Sequence, residues 1–128
     1  MAKKHTRWHQ MDKANTPLPQ LLHHFEVANQ TEGKSPHTVS WYTRRLTVFV
    51  RWLAQEHPSL LRHFTKETVR GFIVYLQTKS TKFENNQFTP TKSAKLSSHT
   101  VNGYVRALRG FSSWLYREEY TKPTSSRI

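Results

Sequence analysis

One pattern of nineteen residues occurs twice in this chain. Residues 35–53 read SPHTVSWYTRRLTVFVRWL and residues 97–115 read SSHTVNGYVRALRGFSSWL; at an offset of 62 they agree at ten positions. The shared pairs are Ser35/Ser97, His37/His99, Thr38/Thr100, Val39/Val101, Tyr42/Tyr104, Arg44/Arg106, Leu46/Leu108, Phe49/Phe111, Trp52/Trp114 and Leu53/Leu115. Each copy opens on a serine suited to cap a helix, then runs at helical period with a basic, polar face opposite an apolar stripe. A chain built around two such helices is expected to be an all-α bundle.

The remaining segments fit that frame. Residues 1–15 (MAKKHTRWHQMDKAN) are polar, basic and aperiodic, and read as a mobile arm suited to tethering phosphate. Thr16-Pro17-Leu18-Pro19 starts a first helix, since proline is tolerated only in or before the first turn, and Leu21, Leu22, Phe25 and Ala28 form its stripe up to Gly33. The second helix enters through Ser35 as N-cap and Pro36, and is expected to stop at His57-Pro58. Its apolar side carries Val39, Tyr42, Leu46, Phe49, Val50 and Leu53; His37, Ser40, Trp41, Arg44, Val48 and Arg51 lie opposite. Pro58 to Leu61 is a turn tucked against the core. Thr65 caps a third helix, with Phe64 and Val69 placed as a hydrophobic staple and Val69, Phe72, Ile73 and Leu76 buried. Residues 77–96 lose the period and read as a long surface loop, with a weak hairpin signal at Asn85-Asn86. In the fourth helix Val101, Tyr104, Leu108, Phe111 and Leu115 face the core, and Leu96 and Val101 form its staple. Gly103 and Gly110 lie off that stripe, where they weaken the helix unless something approaches closely. The tail after Tyr120 has linker composition. The expected division is therefore an arm over 1–15, a helical domain over 16–119 and a linker over 120–128.

Charge narrows the function. Twenty Lys and Arg stand against eight acids, a formal net charge of +12. Self-repulsion of that size in the free protein points to a polyanionic partner, nucleic acid first and an anionic membrane surface second. No apolar run reaches membrane-spanning length, and the first ten residues lack the apolar centre of a signal peptide, so the chain reads as soluble and cytoplasmic. The absence of cysteine excludes disulfides and thiolate chemistry. Eight histidines raise the question of metal, but no His-Glu-x-x-His motif or acid at ligand spacing accompanies them, so no metal or other cofactor is expected. Scattered acids, with no phosphate loop or nucleophile elbow, leave no candidate catalytic residue.

The basic faces admit a plain reading as solvated helix surface. Exposed helices held by ion pairs mix their signs, however, and along these two helices the positive charge has few acids beside it, Glu56 for one and Glu118 and Glu119 for the other. Ser35 and Ser97 similarly have an ordinary role as caps, and an added one where Lys34 and Lys95 flank a helix N-terminus able to hold phosphate. Trp52 and Trp114, at the stripe edges, suit core packing better than base stacking.

The ordered set Ser35-Pro36-His37-Thr38-Val39, Tyr42, Leu46, Phe49, Trp52-Leu53, then Thr65, Val69, Phe72, Leu76, then Leu96-Ser97, Thr100-Val101-Asn102, Leu108, Phe111, Trp114-Leu115 resembles one family over residues 18–122. It is similar to the N-terminal core-binding (SAM-like) domain of tyrosine recombinases, the phage integrases and Xer-type enzymes. The resemblance implies a four-helix SAM-like bundle, with a basic arm and a long loop between helices three and four. In such a domain helices two and four lie on duplex DNA and other surfaces meet neighbouring recombinase subunits. It further implies that the catalytic residues belong to a following domain, that the isolated domain is monomeric, and that it works at the nucleoid. No His-x-x-Arg occurs here, so none of the five tyrosines is assigned as nucleophile.

The expected DNA-contacting residues are Lys34, Ser35, His37, Ser40, Arg44, Arg51, Lys95, Ser97, His99, Asn102, Arg106 and Arg109. Lysines and capping ends suit phosphate; Arg44, Arg106 and Asn102 suit base edges. Three other readings stand beside this one. A helix-turn-helix regulator would depend on one recognition helix, and an RNA-binding protein would prefer structured RNA to duplex DNA. A partner-docking helical domain with incidental charge would bind polyanions without regard to their form.

Overall fold

The computed structural model describes residues 13–78 and 97–121. Among them are four α-helices and no strand: α1 (Leu18–Thr31), α2 (Pro36–Leu53), α3 (Lys66–Thr78) and α4 (Ser98–Arg117), with a single 3-10 turn over Leu61–His63. The all-α bundle expected from the sequence is the observed fold. Expectations for most of the 77–96 loop, including the hairpin, Lys95 and the Leu96 staple, fall outside the described residues.

The two repeated entries fold alike. Ser35 Oγ accepts from the Thr38 N–H at 3.1 Å, and Ser97 Oγ accepts from the Thr100 N–H at 3.1 Å. In both, the serine hydroxyl also donates to the threonine Oγ1, at 3.1 and 3.0 Å. One otherwise orphaned helix donor is thereby satisfied at each start. Thr65 and Thr68 exchange side-chain and backbone bonds in the same sense at the start of α3. Phe64 and Val69, placed for the staple, are both buried. By contrast α1 begins after Pro17, which offers no side-chain cap. Its first N–H, from Leu18, donates instead to Ser59 O at 2.8 Å, while the Leu61 N–H donates to Thr16 O at 2.8 Å. These bonds flank a bridge between Pro17 and Leu60 and strap the α2–α3 connection across the start of α1. Leu61 is buried beneath the strap.

Helix ends differ from expectation in two places. Helix α2 stops at Leu53 rather than at His57. Gln55 and Glu56 donate to Trp52 O and Leu53 O, three residues back, which tightens the chain into turns and lets it swing back to α1. Helix α3 runs to Thr78, so residues 77 and 78 are helical and not loop. At the end of α1, Gly33 sits at φ 85°, its N–H donating to Gln30 O while the Lys34 N–H donates to Asn29 O, a Schellman closure that glycine enters without strain. Helix α4 closes in the same way with Glu119 at φ 66°, and the Tyr120 N–H donates to Leu115 O at 2.8 Å. That closure lays Tyr120 on the core, its ring 5.6 Å from Trp114. At the other end, the Arg62 N–H donates to Ala14 O, and the Arg62 side chain bonds Asn15. The last residues of the expected arm are therefore held to the bundle.

The core is aromatic. Phe25, Phe49, Phe64, Phe72 and Phe111 are all buried in one cluster with Trp114 and the leucines of every helix. Phe25 of α1 meets Tyr42, Phe111 and Trp114 at 5.3–5.4 Å between centroids. Phe72 of α3 meets Phe49 of α2 at 5.2 Å and Tyr104 of α4 at 5.7 Å, both edge-on, the arrangement ring quadrupoles favour. Trp52 packs on Phe49, Phe72 and Tyr75, and Trp114 is buried, so both repeated tryptophans belong to the core.

One connection is sensitive to pH. His57 and His63 stack at 5.1 Å, and burial, His57 and Arg62 together hold the His63 imidazole below its ordinary pKa. The folded state therefore binds fewer protons than the unfolded chain, and this contribution to stability is lost as pH falls through about 6.5 and below. Melting temperature should decline between pH 7.5 and 5.5, and His63→Gln should flatten that decline. Equal slopes for the two proteins would mean that His63 protonates freely within the fold.

Candidate nucleic-acid interface

Helices α2 and α4 meet along a seam of unequal partners. A Cβ added at Gly110 would lie 3.0 Å from Tyr42 Cε1, and one added at Gly103 would lie 3.3 Å from Arg45 Nε and 3.8 Å from Trp41 Cζ2. The two glycines that the sequence places off the apolar stripe of α4 are thus places where bulky side chains of α2 come close. The Arg45 guanidinium lies 4.4 Å from the Trp41 ring centroid and 5.9 Å from that of Tyr104. Arg106 approaches the same Trp41 ring at 5.4 Å. Trp41, assigned to the solvent side from periodicity, is in fact half-buried and packed against the core cluster.

Every expected contact residue that the structure describes is exposed: Lys34, Ser35, His37, Ser40, Arg44, Arg51, Ser97, His99, Asn102, Arg106 and Arg109. They do not form one continuous strip. Lys34, Ser40 and Arg44 line a groove between α1 and α2, and Arg51 lines a second groove between the same helices, with Thr43 and Glu26 common to both. Arg106 lies at the α2–α4 seam on Trp41.

The charge balance on α2 is less one-sided than its own sequence implies. Glu26 reaches both grooves from α1, a neighbour that counting acids along α2 misses. Lys34 Nζ bonds Glu32 Oε1 at 2.7 Å, which holds the Glu32 carboxyl below the usual carboxylate range. That pair is exposed, and its contribution to stability is small. At the seam the balance is different. Burial lowers the Arg45 pKa, Tyr104 partly offsets this, and its charged neighbours Arg44 and Arg106 are cations too.

Residues 23–84 match the family model of the phage integrase, N-terminal SAM-like domain. The matched family is the one the sequence resembles. The match takes in most of α1 and all of α2 and α3, and it ends before α4. Helix α4 lies outside the match, and its likeness to the matched part rests on the repeat it shares with α2. No curated protein and no solved structure matches the chain. Among the described residues no helix is long and apolar enough to cross a membrane, and no group of three or more His, Asp or Glu is placed to hold a metal ion.

Trp41 and Arg45 are the residues that sequence reasoning passed over. Their signal lies in the ten-position agreement itself, or rather in its gaps. At the offset of 62, Trp41 aligns with Gly103, Arg45 with Ala107 and Val48 with Gly110. At each of these positions α2 carries the bulkier residue, although the observed contacts run from Gly103 to Arg45 and Trp41 and from Gly110 to Tyr42.

Proposed function

We propose that this chain binds double-stranded DNA through the exposed faces of α2 and α4, as the core-binding domain of a site-specific tyrosine recombinase or integrase. In this reading, strand cleavage and rejoining belong to a following domain, reached through the linker after Tyr120, and other subunits on the DNA are its protein partners. Lys34, Lys95 and the helix starts at Ser35 and Ser97 hold phosphates; Arg44, Arg106 and Asn102 reach toward base edges; His37, Ser40, Arg51, His99 and Arg109 extend the contact.

The observation that supports this most is the doubled element. Two helices with the same serine cap and matching arginines pack directly on one another in a chain of net charge +12. The integrase-domain match to residues 23–84 agrees with it. A competition assay at fixed salt tests it: labelled duplex DNA should be displaced by unlabelled duplex at lower concentration than by structured RNA or heparin of equal charge. Preferential displacement by RNA would transfer the charged face to the RNA-binding reading. Equal displacement by all three would leave only a nonspecific polyanion surface.

A further inference from the structure

We propose that Arg45 and Arg106, both stacked on Trp41, form a clamp for a single phosphodiester of duplex DNA at the α2–α4 seam; this rests on the duplex-binding reading above and moves Arg106 from a base edge to the backbone. Arg45 counts by sequence among the cations of α2 but is not one of the expected contact residues; its side chain is half-buried at the seam. Its Nη1 donates to Trp41 O at 3.2 Å, which fixes the plane of the fork. Its Nε is buried without a hydrogen-bond partner. A guanidinium taken partly out of water normally finds a carboxylate, since leaving a charge uncompensated there is costly. Here the charges that act on it are those of Arg44 and Arg106, of the same sign.

The seat is made at some expense to α4. Gly103 occupies the interior of a helix, where glycine costs about 1 kcal/mol relative to alanine. A Cβ there would press on Arg45 Nε at 3.3 Å. Gly103 thus keeps a place open for one side chain, and that side chain is a cation lying over the Trp41 ring with Tyr104 farther off. Stacking on Trp41 orders both guanidinium groups before any ligand arrives, which lowers the entropy lost on binding. A phosphodiester is the fitting occupant: it carries one negative charge and accepts two parallel N–H bonds from a planar fork. One phosphate between two arginines would also relieve their mutual repulsion. Trp41 and Gly103 are positioning residues in this account, and Arg45 and Arg106 make the contact.

A double-mutant cycle on duplex affinity tests the clamp, with thermal melting recorded for each variant. Arg45→Gln and Arg106→Gln should each weaken duplex binding about 10-fold or more and reduce the log–log salt slope by about 1. Because both hold one phosphate, the double variant should lose little beyond either single one. Arg45→Lys, which keeps the charge but not the stacked fork, should restore the slope and only part of the affinity. Arg106 is exposed, so its variant reports on the phosphate even where Arg45→Gln lowers the melting temperature. Independent, additive losses with a slope reduced by about 2 would overturn the clamp, and so would wild-type affinity and slope in folded Arg45→Gln. In either case duplex binding itself stands. Failure of the wild-type chain to bind duplex at all would instead overturn the underlying reading, and the clamp with it.

Discussion

Phe72→Ala is expected to destabilise the domain by about 3–5 kcal/mol, the range for removing a large aromatic side chain from a closed core. Phe72 is fully buried, and its ring lies 5.2 Å from Phe49, 5.4 Å from Trp52 and 5.7 Å from Tyr104. It therefore joins α3 to both basic helices. Its loss opens a cavity and also removes edge-on ring contacts worth about 0.5–1.5 kcal/mol per pair. Domains of this size are commonly stable by only about 5–15 kcal/mol, so the variant should be close to unfolding at physiological temperature. Urea titration should show a lower midpoint with an unchanged slope. A loss below about 1 kcal/mol would mean that α3 is not docked between α2 and α4 in solution.

The second large effect concerns binding and leaves the fold alone. Arg44 and Arg106 are the repeat-matched arginines, and both are exposed. Reversing both charges, in Arg44→Glu/Arg106→Glu, removes two favourable contacts and adds two repulsive ones. Each good arginine contact is worth about 1–3 kcal/mol, so duplex affinity should fall by roughly 10²-fold or more at moderate salt. Melting temperature should change little, because neither residue is part of the core. Single reversals should each weaken binding. Full binding in one single variant and none in the other would favour a lone recognition helix, as in a helix-turn-helix regulator.

Local rules were enough to read most of the bundle. Serine caps, the proline at the start of α2, the staple positions Phe64 and Val69, and the period-3.6 stripes all describe interactions within a few residues, and the observed helices follow them. The errors came from contacts between segments. Helix α1 has no cap of its own because Ser59, forty-one positions after Leu18, supplies the acceptor. Helix α2 ends early because the chain must return to α1 to make that bond. Tyr120 looks like linker by composition, but the left-handed turn at Glu119 returns it to Trp114. The exposed candidate residues were legible by the same local logic, since the side opposite an apolar stripe faces solvent. Periodicity does not reveal what a neighbouring helix contributes. It missed Glu26, which enters the face from α1, and it placed Trp41 in solvent although α4 covers it. The seam was signalled by Gly103 and Gly110 off the apolar stripe, and by Trp41 standing against Gly103 when the two copies are compared.

The most direct test of the account is a salt titration of duplex DNA binding by the wild-type chain, followed by fluorescence anisotropy. About five phosphate contacts made by the α2 and α4 faces predict a log–log slope near −4 to −5, and the Arg44→Glu/Arg106→Glu variant should give a weaker and flatter line. A wild-type slope near zero, or no duplex binding even at low salt, would contradict the claim that these two helices form a DNA-binding face.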